Sequence, residues 1–175
     1  MSDDSTELPS TLRSRLAAAP LWDFALALYG RPGVEAACLH LQDDAGVDVV
    51  ELLWRCWLYH HGLASGEAPE AVRRWQAEVT APLRRRRRAL KEEARHRADV
   101  AALRERLKAS ELEAEREALS RLAQHSLAGH ALRPLSRPPP GLETVLPFLP
   151  QLQKKSHLFA LRTLESQLDP SCPPG

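Results

Sequence analysis

The run from Leu21 to Gly62, LWDFALALYGRPGVEAACLHLQDDAGVDVVELLWRCWLYHHG, constrains the fold more than any other part of the chain. It holds three of the four tryptophans, both tyrosines and two of the three cysteines. Glycines cut it into helix-sized pieces, and each piece repeats apolar residues at helical spacing. Leu21, Ala25 and Leu28 share one face of a helix expected over Leu21 to Tyr29, with Gly30 placed as a left-handed C-terminal cap. Val34, Ala37, Cys38 and Leu41 recur in the same way between Gly33 and Asp43. Asp48-Val-Val-Glu51 is a capping-box pattern that opens a third helix. There Val50, Leu53, Trp54, Trp57 and His61 form one stripe, and Leu52 and Cys56 lie on another side. Glu51 and Arg55 stand four apart in the favourable order. A helix apolar over so much of its circumference belongs at the centre of a core.

The flanks extend this pattern. Residues 1–9 are expected to be disordered, and Ser10 to cap a short helix, TLRSRLAAA, before Pro20. Beyond Gly62, Val72, Trp75 and Val79 line one face of a helix from Glu70, and Pro82 then kinks it or opens a new helix capped by Thr80. From Leu83 to about His125 Ala, Leu, Glu, Arg and Lys dominate, with no Gly, Pro or aromatic residue, which is a strong helix-forming composition. Val100, Leu103, Leu107, Ala114, Ala118 and Leu122 give it only a narrow apolar seam. After Gly129 the chain is proline-dense (LRPLSRPPPG, then LPFLP), and Leu158, Leu161, Leu164 and Leu168 mark one last amphipathic helix.

The expected fold is therefore all-α. A helical core spans 10–80, a long charged helix 81–127, and a Pro-rich linker with a short terminal helix 128–175, this last segment being loose.

Charge and cysteine usage narrow the setting. The formal net charge of +1 gives no global attraction to nucleic acid or membrane. The acidic N-terminus, MSDDSTELPS, lacks the order of a secretory signal. The most apolar run, Val47 to Tyr59, is short and contains Asp48, Glu51 and Arg55, so no membrane span is expected. Cys38, Cys56 and Cys172 form no close pair, which points to reduced thiols and a cytoplasmic location.

Candidate chemistry is sparse. Asp43, Asp44 and Asp48 form a D-D-x-x-x-D string that resembles half of a magnesium-diphosphate site. The second acidic cluster such a site needs is absent, and a turn and the helix cap account for all three acids. His40, His60 and His61 near Cys38 and Cys56 show no C-x-x-C or H-x-x-x-H spacing. The cysteines read as small core residues, and His61 as a partner for a helix dipole. Trp22, Trp54, Trp57, Tyr29 and Tyr59 read as core rather than as a ligand pocket. No cofactor is expected.

The sharpest local feature is the run Arg84, Arg85, Arg86, Arg87 and Arg88. Between Arg84 and Arg97 eight bases face two acids, whereas between Asp99 and Glu117 six acids face four bases. Successive basic and acidic blocks suit a solvated face, an antiparallel partner helix or self-pairing. Five arginines also suit phosphate contacts, although no aromatic residue is interleaved for base stacking.

Four motifs carry a family resemblance. They are L-W-x-F-A-L-x-x-Y from Leu21, P-G-V-x-x-x-C-L-x-L-Q-D from Pro32, G-x-D-V-x-x-L-L-W-x-x-W-L from Gly46, and W-x-x-E-V-x-x-P-L-R from Trp75 to Arg84. With them the first two thirds of the chain resembles a family of short cytoplasmic proteobacterial proteins, seen especially in pseudomonads, that is a domain of unknown function. The resemblance implies an all-helical fold and a bacterial origin, and it supplies no catalytic residue.

The first functional expectation is thus a non-enzymatic interaction module, in which the long helix offers Arg84 to Arg88, Leu103 and Leu107 to a protein partner or a second copy. Salt-sensitive binding of nucleic acid or an anionic surface through the arginine run is the alternative. A small-molecule-binding or metal-dependent enzyme using Asp43, Asp44 and Asp48, or His40 and Cys38, ranks third.

Overall fold

A computed structural model describes residues 10–129 and 131–168. The chain divides into two compact units, one drawn from Met1–Glu67 and Ala123–Gly175, the other from Ala68–Leu122. The structure is mainly helical, as the sequence implies.

The first unit begins with α1 (Ser10–Ala18), α2 (Leu21–Tyr29), α3 (Val34–Ala45) and α4 (Val49–His60). The buried faces of α2 and α3 are the expected ones, Leu21, Ala25 and Leu28 on one and Val34, Ala37, Cys38 and Leu41 on the other. Gly30 departs from expectation: its φ of −77° is right-handed, and the left-handed position is Gly33, at 78°. The helical turn runs on through Gly30 to Arg31, whose N–H reaches the Leu28 carbonyl, so the reversal falls at the start of α3 instead. Gly46 (φ 68°) closes α3, and its left-handed backbone turns the chain toward α4.

Helix α4 is the centre of this unit. Asp48 Oδ1 accepts from the backbone N–H groups of Val50 at 2.9 Å and Glu51 at 3.3 Å, the expected cap. Every residue from Leu52 to Tyr59 is buried, including Arg55. The polar atoms that Trp54, Arg55, Trp57 and Tyr59 carry inward find partners. Trp54 Nε1 donates to Ser126 Oγ and Trp57 Nε1 to the Ala19 carbonyl, both at 2.8 Å, and the Tyr59 hydroxyl donates to the Pro140 carbonyl at 3.0 Å. The Arg55 guanidinium donates from Nε to Glu51 and from its two terminal nitrogens to the Ser65 and Gly66 carbonyls. Those bonds offset the cost of burying the charge.

The C-terminal segment completes this unit. Strand β1 (Leu63–Ser65) pairs antiparallel with β2 (Leu132–Pro134), Ala64 opposite Arg133. These three-residue strands are too short to leave an alternating signal in the sequence. A short helix α9 (Leu142–Val145) follows, and then α10 (Lys155–Gln167). Helix α10 runs antiparallel to α3, since Arg31 donates to the Gln167 carbonyl at one end and Lys154 reaches Asp44 at the other. A Cβ on Gly33 would stand 3.0 Å from the Thr163 methyl, so the two helices approach closely there.

The second unit is a helical hairpin. Its first arm comprises α5 (Glu70–Trp75), a π-helical turn over Gln76–Thr80, α6 (Ala81–Ala89) and α7 (Lys91–Ala94). The long charged helix is α8 (Ala98–Leu127), 30 residues, whose portion up to Leu122 forms the returning arm. The segment upstream of Ala98 is thus not one piece with α8: the chain reverses at residues 95–97. Thr80 does not cap α6. It is itself helical, and its hydroxyl donates to Gln76 Oε1 at 2.7 Å. Pro82 has no N–H for an i−4 bond and its ring would crowd that carbonyl; the wider π turn, in which the Ala81 N–H bonds to the Gln76 carbonyl, accommodates it without ending the helix.

Candidate functional site

Two places concentrate chemistry, one in each unit. In the hairpin, the basic block of the first arm meets the acidic block of the second. Arg84 Nε donates to Glu111 at 2.9 Å and its terminal nitrogen to Glu115 at 2.7 Å, while Arg87 pairs with Glu111 as well. Glu111 is buried. Burial alone would raise its pKa, but the hydrogen bonds from Arg87 and Arg84 outweigh that and hold it below the usual carboxylate range. Closer to the open end of the hairpin, Trp75 Nε1 donates to the Ala114 carbonyl at 2.9 Å, and the Arg121 guanidinium lies 4.2 Å from the Trp75 ring centroid. Arg84 and Arg87 therefore help to hold the hairpin together, and Arg85, Arg86 and Arg88 are exposed.

Beyond these contacts the hairpin is thinly packed. From Ala81 to Ser110 no residue is buried. Leu83, Leu90, Val100 and Leu107 are half-buried, and Leu103 is 47% exposed. The Nε of Arg104, two turns before Glu111 on the same face of α8, is buried without an acceptor. Over this stretch eleven bases stand against four acids, a net charge of +7.

In the first unit, the three aspartates of the D-D-x-x-x-D string do not converge on one point. Asp43 is exposed, Asp48 caps α4, and Asp44 faces α10. Asp44 accepts from Lys154 Nζ at 2.8 and 3.0 Å and lies 2.6 Å from His157 Nε2. The Lys154 and His157 hydrogen bonds hold its pKa down at about 2. The backbone N–H of Lys154 points at His157 Nδ1 (3.3 Å), which fixes that nitrogen as an acceptor and leaves the proton on Nε2, facing Asp44. His40, one turn before Asp44 on α3, lies 3.1 Å from Ser156 Oγ. One donor atom from each of His40, Asp44 and His157 falls within 4.8 Å of the others. The spacing His40-x-x-x-Asp44 was readable in the sequence; His157 carried no signal, because only the pairing of α10 with α3 brings it there.

The remaining candidates are structural. Cys38 and Cys56 are free and buried, and burial pushes both thiols up, Cys38 to about 12, so neither is a thiolate nucleophile near neutral pH. His61 ends α4, yet burial pushes its pKa down to about 4, followed by the neighbouring charges of His60 and Arg15. It is neutral at pH 7 and cannot serve as the cationic dipole partner expected of it.

The fold and these places define a helical protein with a tightly packed core and a basic hairpin. The sequence matches the family described as "Protein of unknown function (DUF2390)" over residues 20–122, and the chain belongs to that family. No curated protein and no solved structure matches it. Among the described residues no helix is long and apolar enough to cross a membrane.

Proposed function

We propose that the protein is a non-enzymatic interaction module of the bacterial cytoplasm, and that its hairpin docks an acidic amphipathic helix of a protein partner. The observation that carries this is the stretch from Ala81 to Ser110, which is helical throughout most of its length yet has no buried residue. Two helices alone cover only the seam between them, which leaves Leu103 exposed and Leu83, Leu90 and Leu107 half-buried, a partly covered apolar strip. The net +7 around that strip opposes pairing with a second copy and favours a partner of opposite sign. Free, buried thiols at Cys38 and Cys56 suit a reducing compartment.

Capture from bacterial extract with the tagged full-length protein tests this, using Leu103→Gln and Arg85→Gln/Arg86→Gln as controls. A protein partner lost with either variant supports the reading. Exposed Arg85 and Arg86 also favour phosphate contacts. Nucleic acid recovered with a steep salt dependence, unaffected by Leu103→Gln, would replace the protein-partner reading with that one.

A further inference from the structure

The junction of α3 and α10 brings together groups that no interaction role for the hairpin uses. His40 and Asp44 project one turn apart from α3, and His157 reaches the same point from α10, with donor atoms inside 4.8 Å. Two imidazoles and one carboxylate are the donor set of borderline divalent ions, zinc and cobalt above all, and leave room for water as the remaining ligand. We propose that His40, Asp44 and His157 bind a divalent transition-metal ion of the zinc class, which clamps α10 to α3.

Three features of the site bear on this. A cation already sits on the carboxylate: the Lys154 ammonium contacts both oxygens of Asp44, so the ionised carboxylate is a place that attracts positive charge, and a metal ion takes it by displacing that ammonium. The Lys154 side chain is 61% exposed and that of Asp44 35%, so the ammonium can swing into water and an ion can enter without opening the core. His157 is buried and its ring is fixed by neighbours on both sides, Asp44 at Nε2 and the His40 ring at a centroid distance of 5.5 Å. Metal ligation moves the His157 proton from Nε2 to Nδ1, so it replaces the 2.6 Å Nε2–Asp44 hydrogen bond by shared ligation and gives up the 3.3 Å contact from the Lys154 N–H; both limit affinity. Ser156, 3.1 Å from the His40 ring, is an oxygen neighbour for a metal-bound water.

Titration of the full-length protein with zinc chloride by calorimetry, and with cobalt chloride by visible absorption, tests the assignment. The expected results are stoichiometric binding, a rise in melting temperature with metal, and cobalt d–d bands without a thiolate charge-transfer band. His40→Ala and Asp44→Asn, both on the solvent side of the site, should each weaken zinc binding roughly tenfold or more while the apo protein keeps its helical circular dichroism. Absence of binding, an unchanged affinity in His40→Ala, or a thiolate band from the cysteines would overturn the proposal.

Discussion

Helix α4 and the outer part of the hairpin are both strongly helical, and they are held in opposite ways. In α4 every side chain from Leu52 to Tyr59 is buried, and each tryptophan nitrogen has an acceptor. From Ala81 to Ser110 no residue as a whole is buried, and the arms are joined by ion pairs between Arg84, Arg87, Glu111 and Glu115. The contrast separates what fixes a fold from what is left for use. A core helix has spent its apolar surface on its neighbours, whereas the hairpin keeps helical geometry through propensity and charge and leaves Leu103 exposed and Leu83, Leu90 and Leu107 half-covered.

The comparison is sharpest under substitution. Trp57→Ala empties a core site and removes the bond to the Ala19 carbonyl, so urea unfolding should show a loss of about 3–5 kcal/mol. Glu111→Gln leaves Arg84 and Arg87 facing a neutral group and should cost about 1–3 kcal/mol, seen first as faster amide exchange in α6 and α7 with α4 unchanged. Equal slowing or acceleration of exchange in both regions would erase the distinction between them. The pH dependence falls on the core side: His61 has its folded pKa depressed to about 4 against 6.5 unfolded, so the unfolded chain binds more protons in between. That contribution to stability is complete above pH 6.5 and is lost as pH falls toward 4, and His61→Gln should flatten this limb of a stability profile. The smallest effect belongs to Leu103→Gln, within about 0.5 kcal/mol on unfolding. A large loss there would mean that the strip is already covered.

The same contrast explains what the sequence disclosed. Buried faces at periodic spacing announce themselves, and so α2, α3 and α4 were legible down to Leu21, Val34 and the Asp48 cap. The reversal at residues 95–97 carries no Gly or Pro, only a short Arg-His-Arg break between helix-forming stretches, so composition alone reads through it. The pairing of α10 with α3 depends on contacts more than a hundred residues apart, such as Asp44 with His157, and local patterns cannot state them. Arg84 and Arg87 could be distinguished from their three neighbours only by the phase of α6, which the π turn sets.

That phase has a consequence for how the hairpin tolerates change. A π turn amounts to one residue more than an α-helix needs, and deleting one residue, the exposed Ala77 for instance, would rotate everything after it by about 100°. In most sequences such a slip would pull a specific side chain out of its ion pair. Here it would carry Arg85 and Arg88 into the places that Arg84 and Arg87 hold opposite Glu111, and turn other arginines outward. Five identical residues in a row thus make the charged clasp redundant in register: an arginine still faces Glu111 after a shift of one position, and what the deletion would cost is the wide turn that accommodates Pro82.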